Sequence, residues 1–261
     1  MTPAISAQHL SRSFGSTTIV HDATFSVAPG EITALVGPNG SGKTTLMLML
    51  ATLLKPDAGS AHIGGFDTVT DTLRARTCLG WMPDALGSWP QLTVHETLMA
   101  VCAMYGLTGA VAQQRTSRLL AHAGLEALAG QRTNTLSRGQ KQRLSLARAI
   151  AHQPSVLLLD EPASGLDPDA RATQRRMLTA LAAEGVAILV TSHVLDELDE
   201  LATSVVFLRD GRTEAAEAVQ AALHRGSNWR IRSLEQAALE SALDTAGVAW
   251  SRQQVLGGSA H

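Results

Sequence analysis

An apolar strand that runs through a glycine-rich loop into a helix, a second apolar strand that ends on two carboxylates, and strands alternating with helices around both predict an α/β fold. The 261 residues are 45% hydrophobic and 17% charged. That balance lies in the globular range, and the length suffices for one large core with a small appendage. With 21 basic against 23 acidic residues the net charge is −2, so no overall field draws in nucleic acid or anionic lipid, and no nucleic-acid partner is expected. Cys78 and Cys102 are the only cysteines, too few for a zinc site or a disulfide framework, which fits a reducing, cytosolic compartment. Residues 1–20 contain no apolar leader, and the longest apolar runs, such as 46–54, fall short of a membrane span. The chain is therefore expected neither to cross a membrane nor to enter a secretory route.

The opening residues alternate apolar and β-branched runs with turn residues and end in the buried strand Ile32–Val36. A Leu- and Met-rich helix is expected over 44–54, closed by Lys55, Pro56 and a turn at 57–59. Residues 92–151 change character. Thr93, Glu96, Leu98 and Met99 open one amphipathic helix, 113–121 continues a second and 138–151 forms a third, so a helical block, about 84–151, is inserted between strands. The α/β alternation resumes with strand 156–159, helix 169–183 stopped by Gly185, strand 186–190, helix 194–201, strand 205–208 and a turn at 209–211. Beyond it the chain turns Ala-, Glu- and Gln-rich, with helices expected at 214–224 and 234–246 and strands at 229–232 and 248–251. Residues 1–212 thus form the main domain and 213–261 a small α/β appendage.

Gly37-Pro38-Asn39-Gly40-Ser41-Gly42-Lys43-Thr44 fits G-x-x-x-x-G-K-[ST] between a predicted strand and a predicted helix, the context the motif requires. Its glycines let successive backbone N–H groups turn inward as an anion nest, and the helix adds its positive end. Lys43 would reach the β- and γ-phosphates and the Thr44 hydroxyl would hold Mg²⁺. The other reading is a glycine-rich turn with one exposed lysine. Asp160 and Glu161 follow the strand at 156–159, where side chains emerge at the ligand-binding edge of an open sheet. Asp160 suits Mg²⁺ coordination and Glu161 a general base on the attacking water, unless both merely cap the next turn. Leu136-Ser137-Arg138-Gly139-Gln140 stands directly before an amphipathic helix. Ser137 is a natural N-cap, yet a hydroxyl, a glycine and a helix N-terminus at one point also suit a phosphate. Because the chain already has one phosphate loop, this second anion site would serve a nucleotide held by another copy.

Together with Ser164-Gly165-Leu166-Asp167 and Thr191-Ser192-His193, these motifs resemble, in order and spacing, the ATP-binding-cassette ATPases, with the P-loop NTPase fold of that family. The separations, 94 residues from Lys43 to Ser137 and 23 from Ser137 to Asp160, fit a single cassette. The resemblance covers residues 3–212 and implies a mixed sheet core with an antiparallel β subdomain and an inserted α-helical subdomain. It also implies a homodimer closing on ATP and Mg²⁺, each nucleotide lying between Gly37 to Thr45 of one copy and Ser137, Gly139 and Gln140 of the other. Phe14 falls where the family stacks an aromatic on adenine, Asp167 where it links the two sites, and His193 where it senses the γ-phosphate. Asp84 stands where a glutamine is usual, close to metal and water, and Arg138 where glycine is commoner. A lone cassette resembles the ATPase subunit of a transporter with a separate transmembrane permease, peripheral on the cytoplasmic face of the cell membrane. The segments 89–98 and 105–107 resemble those of bacterial ABC-2 type exporters, including drug-efflux and heme-exporter ATPases. The alternative from another class is a soluble regulatory or repair ATPase without a permease.

Overall fold

The computed structural model describes residues 2–192 and 200–214, with 243 and 245 besides. The chain divides into two compact units, Met1–Val219 and Gln220–His261. The expected helix at 194–201 and the elements expected at 229–232, 234–246 and 248–251 lie outside the described residues, or almost wholly so. So does most of the helix expected at 214–224; its first residue, Glu214, ends a strand instead and pairs with Phe207.

Among the described residues the strands are β1 (Ile5–Phe14), β2 (Thr17–Val27), β3 (Ile32–Val36), β4 (Ala58–Ile63), β5 (Phe66–Asp67), β6 (Leu79–Met82), β7 (Val156–Asp160), β8 (Ala187–Thr191), β9 (Ser204–Arg209) and β10 (Arg212–Glu214). They form one mixed sheet in the order β5-β4-β1-β2-β10-β9-β3-β8-β7-β6. Strands β9, β3, β8, β7 and β6 run parallel. At the other end, β2, β1, β4 and β5 pair antiparallel as two hairpins.

The parallel strands are apolar on both faces, and their alternate residues enter different cores. Leu157 and Leu159 of β7 and Ile188 and Val190 of β8 face the core shared with the helical block. Val156, Leu158, Ala187 and Leu189 face the opposite core, with α1 (Lys43–Leu50) and the antiparallel strands. Because Leu46, Met47, Met49 and Leu50 are all fully buried, α1 lies enclosed between sheet regions, which is why its sequence is apolar nearly all round.

Helix α1 stops at Leu50, four residues short of the expected end. Thr52 turns left-handed at φ +63°, and the N–H groups of Leu53 and Leu54 both return to the Leu48 carbonyl, closing the helix before Pro56. The expected turn at 57–59 holds only at Asp57. Its N–H donates to the Ser11 carbonyl, and β4 begins at Ala58 where its pairing with β1 shifts register. Strands β4, β5 and β6 and helix α2 (Thr72–Cys78) carry no strong sequence signal. In β6 the reason is Gly80, a residue disfavoured in strands: a Cβ there would lie 2.3 Å from the Ala149 carbonyl oxygen, so α5 (Arg138–Ala149) crosses directly on the strand.

The block inserted between β6 and β7 comprises α3 (Val94–Met104), α4 (Gly109–Ala123), two short 3₁₀ turns and α5. Helix α6 (Pro168–Ala183) then carries the chain from β7 to β8. Their apolar stripes, including Leu98, Leu119, Leu144 and Leu178, close the core shared with Leu157, Leu159, Ile188 and Val190.

Candidate active site

Strand β3 delivers the chain at its carboxyl end into the glycine-rich loop. Gly42 holds the N-cap of α1 at φ +102°, a conformation that costs an L side chain dearly. A Cβ there would also sit 3.0 Å from the Ile19 carbonyl oxygen of β2, so strand and loop touch. The first turn of α1 contains no acidic residue, leaving the helix dipole unopposed at the loop. Lys43 curls over it, donating from Nζ to the carbonyl oxygens of Gly37 and Pro38 at 2.8 and 3.0 Å. Ser41 is buried, and its Oγ has no hydrogen-bond partner among the described residues. An unsatisfied buried hydroxyl costs about 1–3 kcal/mol, and a phosphate oxygen would satisfy it. Thr44 stands exposed on the first turn and Thr45 is half-buried behind it. Phe14, at the end of β1, is 50% exposed and so is no core residue. The Arg12 guanidinium lies 5.0 Å from its ring centroid.

Strand pairing sets Asp160 of β7 opposite Thr191 of β8. Thr191 Oγ1 donates to Asp160 Oδ1 at 2.6 Å and accepts the Glu161 N–H at 3.0 Å. One hydroxyl thereby orients both carboxylate residues. Burial pushes the Asp160 carboxyl up from its ordinary value, opposed by the Thr191 bond; the charges of Asp84 and Glu161 add to the rise and Lys43 counters it. The four charged groups therefore share one locality. Glu161 takes φ +52°, a left-handed conformation that costs a non-glycine residue about 1–3 kcal/mol and persists only where neighbours impose it. Those neighbours include Thr191 on its N–H, and Gln142 Nε2 and the Ser164 N–H, which donate to its carbonyl oxygen at 2.8 and 3.1 Å. Neither Thr191 nor Gln142 stands out from the sequence as a positioning group. The signal that could have found Thr191 is a lone hydroxyl at the end of an apolar strand.

Ser137 is the N-cap of α5 in a reciprocal capping box: its Oγ accepts the Gln140 N–H at 3.3 Å, and Gln140 Oε1 accepts the Ser137 N–H at 2.8 Å. The capping reading is thus realised, with Ser137 still exposed and Gly139 and Gln140 half-buried. Asp167 caps α6 by accepting the Ala170 N–H at 2.8 Å. Asp84 is exposed just past β6, near enough for its charge to reach Asp160. His193 lies outside the described residues.

Among the described residues no three His, Cys, Asp or Glu side chains converge to hold a metal by themselves. Mg²⁺ at phosphate sites needs no such cage, since it takes one or two protein oxygens and completes its octahedron with phosphate and water. A buried Asp160 crowded by like charge and reached by the charge of Lys43, the chain neighbour of Thr44, fits that demand for hard oxygen donors.

A family model described as ABC transporter matches residues 20–164. The chain is 38% identical over 220 residues to the Nod factor export ATP-binding protein I of Paraburkholderia xenovorans, across 84% of this chain and 72% of that one. To the linearmycin resistance ATP-binding protein LnrL of Bacillus subtilis it is 33% identical over 207 residues, across 79% and 67%. Among solved structures, an ATP binding subunit of an ABC transporter superposes with a TM-score of 0.79 at 28% identity, across 92% of this chain and 100% of that one. The dimeric structure of a bacterial ABC transporter cassette superposes with a TM-score of 0.74 at 25% identity, across 81% and 97%.

Proposed function

The chain belongs to the ABC transporter family, and from that footing we propose that Gly37 to Thr45 holds the triphosphate of one MgATP while Ser137, Gly139 and Gln140 close over the nucleotide of a second, identical copy. It is an ATP-binding, ATP-hydrolysing subunit of the export type. The observation that carries the site assignment is the cluster at the end of β7: Asp160 buried and held by Thr191, Glu161 locked beside it, and Lys43 and Asp84 within reach of the same charge.

In this reading the loop N–H groups and Lys43 bind the phosphates, giving up the Lys43 bonds to Gly37 and Pro38 for charge-assisted ones. Thr44 and Asp160 hold the Mg²⁺, which would neutralise charge on the phosphates. Glu161 orients the attacking water and takes its proton at a carboxylate oxygen, and its imposed backbone conformation aims that oxygen before substrate arrives. Phe14, already half out of the protein, offers a face to adenine. His193 is assigned to the γ-phosphate through its place in the Thr191-Ser192-His193 motif. The work of hydrolysis is passed to a separate transmembrane permease, with the subunit docked at the inner face of the membrane, where ATP is available.

The test is Glu161→Gln. A carboxamide still holds the water but cannot accept its proton, so turnover should fall about 10²–10⁴-fold while ATP still binds. The trapped nucleotide should lock two chains together. Gel filtration with MgATP should then show a dimer that the wild type lacks, and a monomer under those conditions would contradict the shared-site assignment.

A further inference from the structure

The start of α5 grips the loop that follows β7 in the same chain at two points, and the chemistry above uses neither directly. Gln142 is buried and donates to the carbonyl oxygen of Glu161 at 2.8 Å. One helical turn earlier, Arg138 donates from Nη2 to Ser164 Oγ at 2.9 Å. Its methylene stem also lies across Gly165, where φ is +76° and a Cβ would come within 2.9 Å of Arg138 Cδ. Positions i and i+4 share a helix face, so a single face of α5 holds the loop near both ends. From the other side α6 pins the same loop: Gln174 Nε2 donates to the Pro162 carbonyl oxygen at 3.1 Å and Arg171 Nε to that of Leu166 at 3.0 Å. The first turn of α5 has no acidic residue, so Arg138 stands at the positive end of its helix, an unfavourable place for a cation taken alone. The Ser164 and Gly165 contacts give the side chain its purpose.

Resting on the shared-site reading, we propose that Arg138 is a positioning residue that makes the Ser137 helix start and the loop carrying Glu161 and Asp167 move as one body. A nucleotide engaged by Ser137 and Gly139 then sets the Glu161 of the same chain, which serves the other nucleotide, and the two sites fire together. Glycine at 138 would remove both contacts at once, whereas lysine keeps the covering stem and a cationic donor.

The experiment is steady-state hydrolysis by the full chain against MgATP concentration, for wild type, Arg138→Ala, Ser164→Ala, the double variant and Arg138→Lys, with ATP affinity measured by calorimetry. Each alanine variant should lose about tenfold in kcat with the Hill coefficient falling toward one, while KM and ATP affinity stay within about twofold. The double variant should be no worse than Arg138→Ala, and Arg138→Lys should recover most of the rate. Alanine variants within about twofold of wild-type kcat, or losses that multiply in the double variant, would overturn the proposal. So would ATP affinity falling in step with kcat, since that would make Arg138 a direct phosphate ligand. Should Arg138→Ala fail to fold, Ser164→Ala removes the same hydrogen bond from the other side and decides alone. A wild type that neither hydrolyses MgATP nor dimerises on it would overturn the function reading and this inference with it; an active wild type with unmoved variants overturns only the inference.

Discussion

Glu161 and Asp160 are adjacent, yet the protein holds them in different ways. Asp160 is 5% exposed and bonded through its carboxylate to Thr191, whereas Glu161 bonds Thr191 and Gln142 through its backbone. Burial raises the Asp160 carboxyl above its ordinary value of 3.8, so the folded chain binds that proton more readily than the unfolded one. Stability from this group is therefore present at low pH and is lost as pH rises through the raised value. Asp160→Asn keeps an oxygen that accepts the Thr191 bond and never ionises. Without nucleotide or divalent metal it should melt higher than wild type at about pH 7.5, with the gain shrinking toward about pH 4; a gain independent of pH, or a loss at the higher pH, would contradict the assignment. Asp84 adds charge to the same locality from an exposed position. Asp84→Gln should accordingly bind ATP more tightly when Mg²⁺ is scarce and almost equally when it saturates. Superimposable titrations at every Mg²⁺ concentration would remove Asp84 from the site.

Two helices of the inserted block open with the same device. Thr93 and Glu96 form a capping box on α3, as Ser137 and Gln140 do on α5. The sequence marks Ser137 as an N-cap and Thr93 as the opening of a helix, and α5 and α3 begin directly after them; the reciprocal bonds from Glu96 and Gln140 came with the structure. Each cap contributes about 1 kcal/mol, so Thr93→Ala and Ser137→Ala should lower the melting temperature alike, by about 2–4 °C for a chain of this size. Only Ser137→Ala should also lose hydrolysis, because only that hydroxyl is assigned to a phosphate. Equal activity in the two variants would leave Ser137 a cap and nothing more. The elements between 58 and 82 were not legible: β4 takes its register from β1, and β6 survives a central glycine because α5 covers it. Such strands are specified by their neighbours rather than by their own residues.

At the scale of the molecule, the phosphate loop joins the two cores. Strand β3 and helix α1 flank it; Leu35 of β3 and Leu46 of α1 pack in one core, and Ile32 and Ala34 of β3 in the other. Nucleotide bound at the loop should therefore stabilise the unit that holds both cores, by about 2.7 kcal/mol at a hundredfold excess over Kd. Lys43→Ala removes charge-assisted bonds worth about 1.5–3 kcal/mol each, so thermal scans with increasing MgATP should climb for wild type and stay nearly flat for this variant. Equal climbs would sink the placement of the phosphates.

The motifs at 37–44, 136–140 and 156–161, the presence of a helix after each of the first two and the apolar strands at 32–36 and 156–159 were readable from residue order, although β7 runs one residue further and α1 stops four residues sooner. Each depends on chemistry local in the chain: a glycine turn, an N-cap, an unbroken apolar run. Packing alone brought Thr191 beneath both carboxylates, Gln142 onto the Glu161 carbonyl and Arg138 across Gly165. These contacts join residues 19 to 31 positions apart, and their partners are chosen by strand register and by which face of a helix meets a loop. Neither leaves a trace in short-range pattern, because the same glutamine, threonine or arginine on another register or another face would serve equally well as solvated surface.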